Sequence, residues 1–272
     1  MAKTRFFIFA SIAAFAVILG SCSDFNKVLK NGTNEAKRDS ALSYFEKKEY
    51  LKTVTLLEDV IPYYKLTPHG ENLYYHYCMA NYRMEDYYLS GYYWKRFIRQ
   101  YPTSKHVEEA TFLSAMCAVH NSPEYHLDQT ETLNALDELQ IFVDLYPDSE
   151  LIDSCNQIMD RLNGKLEKKQ FENARLYYKT EQYKAAVVAF DGMLEKYPNS
   201  TYKEEVLYLQ LRSSYLLAIN SISSKKMERL NATLKSYRTF VAAFPESQWI
   251  SDAENIKNKT EKEINNTTAS QQ

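Results

Sequence analysis

Apolar residues recur along this chain at intervals of three and four, the spacing that lines one face of an α-helix. The longest unbroken stretch lies between Ser149 and Tyr177, where Ile158, Leu162 and Leu166 keep that spacing and no proline intervenes. It predicts one helix of about 28 residues, on the order of 40 Å long. Elsewhere the pattern is cut at four matched places: FIRQYPTS from Phe97, FVDLYPDS from Phe142, MLEKYPNS from Met193 and FVAAFPES from Phe240. Each has an apolar residue five before its proline, an aromatic just before it and a serine two after it. Proline ends a helix, and the serine hydroxyl is placed to cap the next one. Six residues past the serines stand Ala110, Cys155, Val206 and Ala253, the small or apolar contacts expected where a new helix meets the old.

Pro102, Pro147, Pro198 and Pro245 lie 45, 51 and 47 residues apart, within the period range of stacked helical hairpins. The phrase is therefore the stop and restart between hairpins. Composition agrees: six glycines against 23 tyrosines in 272 residues disfavour turn-rich sheets and point to an all-helical, tyrosine-rich body.

The N-terminus stands apart. Lys3 and Arg5 precede an apolar run of 15 residues, Phe6 to Gly20, shorter than the ~20 that span a membrane. With the following LGSC, Leu19 to Cys22, it resembles a lipoprotein signal peptide over 1–21, with Cys22 taking the lipid; an uncleaved anchor or an ordinary signal peptide is the plainer alternative. Several acyl chains on Cys22 would give a durable anchor. Cys78, Cys117 and Cys155 cannot all pair internally and read as small buried hydrophobes rather than a disulfide.

Catalytic and cofactor chemistry finds no support. The five histidines form no HExxH pair, Cys117 to His120 is a lone spacing, and there is no glycine-rich phosphate loop. No cofactor or metal is expected, and Glu108 and Glu109 read as solvated helix-face charges. The formal net charge of -2 gives no reason to expect nucleic acid.

The hairpins resemble tetratricopeptide repeats, whose unit of 34 residues has small residues where its two helices cross and a proline near its end. In the unit ending at Pro198 the small positions are Ala174 and Ala186, and Tyr177, Phe190 and Met193 take large ones. In the unit ending at Pro102 they become Cys78 and Ser90 with Tyr74, Tyr77, Trp94 and Phe97, while Asn81 breaks the pattern. A first unit, with Lys65 in place of proline, fits through Ala41, Tyr44, Thr53, Leu57 and Val60. Units ending at Pro147 and Pro245 keep their second helices, through Ala135, Leu139 and Phe142 or Thr233, Tyr237 and Phe240. Their first helices are set back by insertions around HNSPEYHLDQ and NSISSKKMER. The expected fold is all-α: a right-handed superhelix of five irregular repeats, an overlong connecting helix and a C-terminal capping helix. The expected segments are a lipidated linker over 22–34, repeats one to three over 35–148, the long helix, repeats four and five and the cap over 149–263, and a disordered tail over 264–272.

HLDQT (His126 to Thr130), ALDELQIFVDLYPDS and LEKKQFENARLYYKTEQYKAAVVAFDGMLEKYPNS make the chain similar to the BamD family, lipoprotein subunits of the β-barrel assembly machinery, in a Bacteroidetes-like version. The resemblance implies lipid anchorage at the periplasmic face of the outer membrane, with no dense acidic run after Cys22 to send the chain to the surface. It also implies docking on the POTRA domains of a BamA-like barrel protein, and reception of the C-terminal segments of unfolded barrel proteins. A scaffold lipoprotein for cell-wall synthesis or other envelope complexes is the rival reading.

In the repeat family the first helix of each unit lines a groove. Carried onto this chain, units one to three present Arg38, Phe45, Tyr75, Met79, Tyr82, Arg83, Phe112, Met116 and His120. Rings and thioethers suit varied apolar side chains and arginines suit a terminal carboxylate, so this lining is expected to receive peptide. Units four and five present the more basic Phe171, Arg175, Tyr178, Lys179, Tyr208, Arg212 and Tyr215, expected to contact BamA. Packing between helices is the plainer explanation for the rings, and solvation for the charges.

Overall fold

The computed structural model describes residues 24–269; Cys22, the 1–21 segment and the last three residues lie outside them. Every regular element among the described residues is a helix. They are α1 (24–31), α2 (Asn34–Glu46), α3 (Tyr50–Tyr64), α4 (Gly70–Arg83), α5 (Tyr87–Gln100) and α6 (Val107–Asn121). There follow α7 (Thr130–Leu145), α8 (Ile152–Lys179), α9 (Tyr183–Lys196), α10 (Lys203–Ile219), α11 (Ser223–Ala243) and α12 (Ile250–Ala269). The chain forms two compact units, 24–123 with 128–159 and 124–127 with 160–269. The division falls inside α8, not at residue 149.

Each repeated phrase folds into the same turn. The aromatic before the proline donates its N–H to the residue four back (Tyr101 to Phe97, Tyr146 to Phe142, Tyr197 to Met193, Phe244 to Phe240), closing the helix. The serine hydroxyls then accept from the N–H two residues on, at His106, Leu151, Tyr202 and Trp249. The hydroxyl thus fixes the turn ahead of the helix rather than capping the helix's own first turn. Ala110, Cys155, Val206 and Ala253 are fully buried, as their spacing requires.

Within three hairpins the two helices are joined through a residue with left-handed backbone, Lys48, Glu85 or Glu181, at φ near 60°. In each case the next N–H reaches back to a helix carbonyl (Glu49 to Tyr44, Asp86 to Asn81, Gln182 to Tyr177), so the turn stays short.

Unit 1 packs around Leu56, Leu57, Val60, Trp94, Phe97 and Phe142, and unit 2 around Phe171, Phe190, Met193, Leu211 and Phe240. Ala41, Thr53, Cys78, Ser90, Ala174 and Ala186 are fully buried where paired helices meet. Asn81 is also inside, its amide donating to Tyr77 O at 2.8 Å, which satisfies a polar group at a position the repeat reserves for an apolar one. Tyr177 is instead 40% exposed.

Two expectations are corrected. The 22–34 linker is helical over 24–31, and Thr33 caps α2 by accepting from Ala36 N. The tail is helical to Ala269, because α12 continues past Glu263 with Thr267 and Thr268 hydroxyls bonded to carbonyls four residues back. Of the two insertions, NSISSKKMER lengthens α11, which runs for 21 residues from Ser223. HNSPEYHLDQ does open a loop, 122–129, in which Asp128 accepts from Thr130 N and Gln129 accepts from the Thr132 hydroxyl. In unit 2, Lys169 Nζ donates to Leu127 O at 2.6 Å and Lys168 Nζ lies 4.4 Å over the Tyr125 ring, tying 124–127 to α8.

Candidate functional site

In unit 1, α2, α4 and α6 place side chains around a cleft of about 420 Å³ lined by Phe45, Lys48, Tyr50, Tyr75, Met79, Arg83 and Glu109. Four of the nine sequence-derived groove residues, Phe45, Tyr75, Met79 and Arg83, meet here. Tyr75 stacks on His106 with ring centroids 4.3 Å apart and planes 29° from parallel, and its hydroxyl donates to Glu109 Oε2 at 3.0 Å. Burial first, and that bond second, push the Tyr75 phenol well above its ordinary range. Phe45 packs edge-on to His76 and Tyr50. Met79 is buried and Arg83 exposed at the rim.

Three lining residues were not expected. Lys48 reaches the cleft from the left-handed turn after α2. Tyr50 opens α3, a second helix that the groove rule ignores. Glu109, read as a solvated charge, is the acceptor for Tyr75. The cleft therefore carries two cations, Lys48 and Arg83, against one carboxylate.

The other five groove candidates lie elsewhere. Arg38 is paired with Asp39 and sits over the Tyr64 ring. Phe112 packs edge-on to buried Phe142, and Met116 is half-buried on α6. Tyr82 and His120 form their own cluster, with Tyr82 Oη 3.5 Å from His120 Nε2 and Tyr87 stacked on His120 at 4.1 Å.

In unit 2 the basic aromatic set divides. Phe171 and Tyr208 are core residues, not surface ones. Tyr202 stacks on Phe171 at 4.4 Å and Trp249 on Tyr208 at 4.9 Å, leaving 2% and 7% exposed. Tyr208 Oη donates to Asp252 Oδ2 at 2.7 Å, and burial, reinforced by that bond, pushes its pKa up to about 12. Arg175 pairs with Glu172 at 2.9 Å and packs over Phe171. Arg212 lies 5.8 Å from both the Tyr178 and Tyr208 ring centres. Tyr178 and Tyr215 are half-buried; Lys179 is exposed beside a second cleft of about 340 Å³ that also involves Lys169 and Leu176. Among the described residues no group of three His, Cys, Asp or Glu could hold a metal.

The profile of the YfiO family, described as outer membrane lipoprotein, matches residues 34–230 and again 167–269. This chain belongs to that family. It is an outer membrane lipoprotein, and among the described residues no helix is long and apolar enough to cross a membrane. Curated relatives include the outer membrane protein assembly factor BamD of Caulobacter vibrioides, 26% identical over 60% of this chain and 50% of its own length. BamD of Pasteurella multocida is 21% identical over 83% and 89%, and BamD of Rickettsia prowazekii 22% over 58% and 59%. The chain thus spans about half of the Caulobacter relative and most of the Pasteurella one.

Proposed function

We propose that this lipoprotein, anchored through Cys22, is a non-enzymatic assembly factor for outer-membrane β-barrel proteins. Unit 1 receives the C-terminal segments of unfolded barrel proteins, and unit 2 docks on the POTRA domains of a BamA-like partner. The observation that carries this reading is the unit 1 cleft. Phe45, Tyr75 and Met79 offer rings and a thioether to apolar side chains, while Lys48 and Arg83 offer charge to a terminal carboxylate. Arg175, Arg212 and Lys179, with the half-buried Tyr178 and Tyr215, are the proposed basic aromatic contact of unit 2, supported by its cation–π packing.

The test is binding of a barrel-derived C-terminal peptide, as free acid and as amide, to the full chain in detergent. Arg83→Glu should weaken the free acid about tenfold, the scale of an anchoring contact, and leave the amide nearly unchanged. Equal losses for both peptides would remove Arg83 as the carboxylate's partner, and absence of binding by the unaltered chain would overturn the assignment of the cleft.

A further inference from the structure

A different face of unit 1 is uncovered and mostly acidic in its charge. On α7, Leu133, Ile141 and Leu145 are 52%, 50% and 62% exposed. Helical spacing puts Asp137 and Asp144, also exposed, among them on the same face. From Thr130 to Asp153 the chain holds seven carboxylates and no lysine, arginine or histidine. Lys95 of α5 pairs with one of them, Glu138. Single exposed leucines need no explanation, but three large apolar side chains sharing an exposed helix face with carboxylates do.

This face adjoins a cleft of about 290 Å³ with Tyr88, Tyr92 and Lys95 of α5 on one wall and Glu131 of α7 on the other, the Lys95 charge being met by Glu138. Both tyrosines are well exposed. Ser114 lines the same cleft from α6; it is 3% exposed, yet its hydroxyl oxygen is buried with no hydrogen-bond partner. Most buried hydroxyls find a partner. One left unpaired beside an open cleft is a contact awaiting a ligand atom.

We propose that this face docks a basic amphipathic helix of a partner protein, with an arginine of that helix seated in the cleft between α5 and α7. The apolar side chains of the helix cover Leu133, Ile141 and Leu145, and the cations beside them meet Asp137 and Asp144. A guanidinium has the shape for the cleft: it stacks on the tyrosine faces while its N–H groups reach Ser114 Oγ and Glu131. The same carboxylates repel an anionic lipid surface. The face shares no lining residue with the Phe45–Arg83 cleft, so it serves a partner other than the peptide bound there.

The probe is a labelled synthetic helix of about 18 residues, with leucine along one side and arginine on both flanks, titrated onto the full lipidated chain in detergent. The length is roughly five turns, enough to span α7. Binding should weaken at least tenfold in D137K/D144K and likewise when the probe's arginines become glutamate. Ser114→Ala should weaken the probe several-fold without lowering the melting temperature, which a merely structural serine would not do. Undiminished binding to D137K/D144K, or equal binding of the glutamate probe, overturns the proposal. In intact cells a benzophenone amino acid at position 141 should crosslink to a basic amphipathic segment of another protein. A crosslink to a second copy of this chain, or to lipid, overturns it.

Discussion

Tyr202 lies flat on Phe171, with ring centroids 4.4 Å apart and planes 11° from parallel. Trp249 lies on Tyr208 in the same way, 6° from parallel, and His106 stacks on Tyr75 with the planes 29° apart. All three upper rings stand two residues past the serine of a repeated phrase, so the turn that restarts the chain also covers a ring of the preceding hairpin. Tyr202→Ala should uncover Phe171 and lower stability by at least ~1 kcal/mol, since stacked rings contribute beyond their buried area. Tyr202→Phe, which keeps the stack, should leave the melting midpoint nearly unchanged.

Two of the four serines do more than fix their turns. Ser104 Oγ donates to Glu71 at 2.6 Å and Ser200 Oγ to Glu167, each carboxylate lying 33 residues earlier. The positions 33 before Ser149 and Ser247 hold Met116 and Ser214. Alanine at Ser104 or Ser200 should therefore cost about 1.5–3 kcal/mol, the range for hydrogen bonds to charged groups. Alanine at Ser149 should cost about half as much, ~1 kcal/mol, losing a neutral bond only. Urea denaturation of the three single variants measures the difference.

Alkaline pH should unfold the chain. Burial pushes Cys117 from 9.0 up to about 11 and Tyr208 from 10.0 up to about 12, and drives Tyr74, Tyr75 and Tyr77 upward as well. A raised folded-state pKa means that the folded chain holds its proton where the unfolded chain releases it. Their contribution is complete below about pH 9 and is lost as pH rises through about 11 and 12. Thermal melts should show a flat midpoint up to about pH 9 and a steep fall above it. A midpoint constant to pH 12 would contradict this.

Under the proposed peptide binding, Glu109 should oppose an acidic terminus. It shares the cleft with Lys48 and Arg83, and Glu109→Gln removes the carboxylate while keeping an acceptor for the Tyr75 hydroxyl. The free-acid barrel peptide should bind about threefold more tightly, the scale of one partly exposed charge at ~0.7 kcal/mol. The amidated peptide should show little gain, and a titration of both peptides separates the two effects.

The helical core was legible because its rules are local. Trp94 and Phe97, or Ala174 and Ala186, are fixed by spacing within one hairpin, and all are fully buried. The long helix was legible because nothing between Ser149 and Tyr177 stops it; its observed span is 28 residues. The candidate sites were less so, since exposure depends on what the next turn brings. Phe171 and Tyr208 occupy groove positions by repeat spacing but are covered by Tyr202 and Trp249. An aromatic two residues past the serine was the available signal. Lys48 enters the cleft through a left-handed turn written without glycine or asparagine, the usual markers of that backbone. Glu109 gained its role from a tyrosine 34 residues away, beyond the reach of helix-face spacing.

Among the described residues the free cysteines are Cys78, Cys117 and Cys155, all buried, and burial pushes the Cys117 thiol up to about 11, so little of it is thiolate near neutral pH. An outer membrane lipoprotein matures where thiols are readily oxidised. In the folded chain little reactive thiolate forms and the sulfurs are buried, so packing slows oxidation without supplying any reducing electrons. Protection begins only when α4, α6 and α8 close over their sulfurs. Every exported molecule therefore runs a race between hairpin packing and oxidation, and a core mutation that slows packing would surface first as mispaired cysteines rather than as a lower melting temperature.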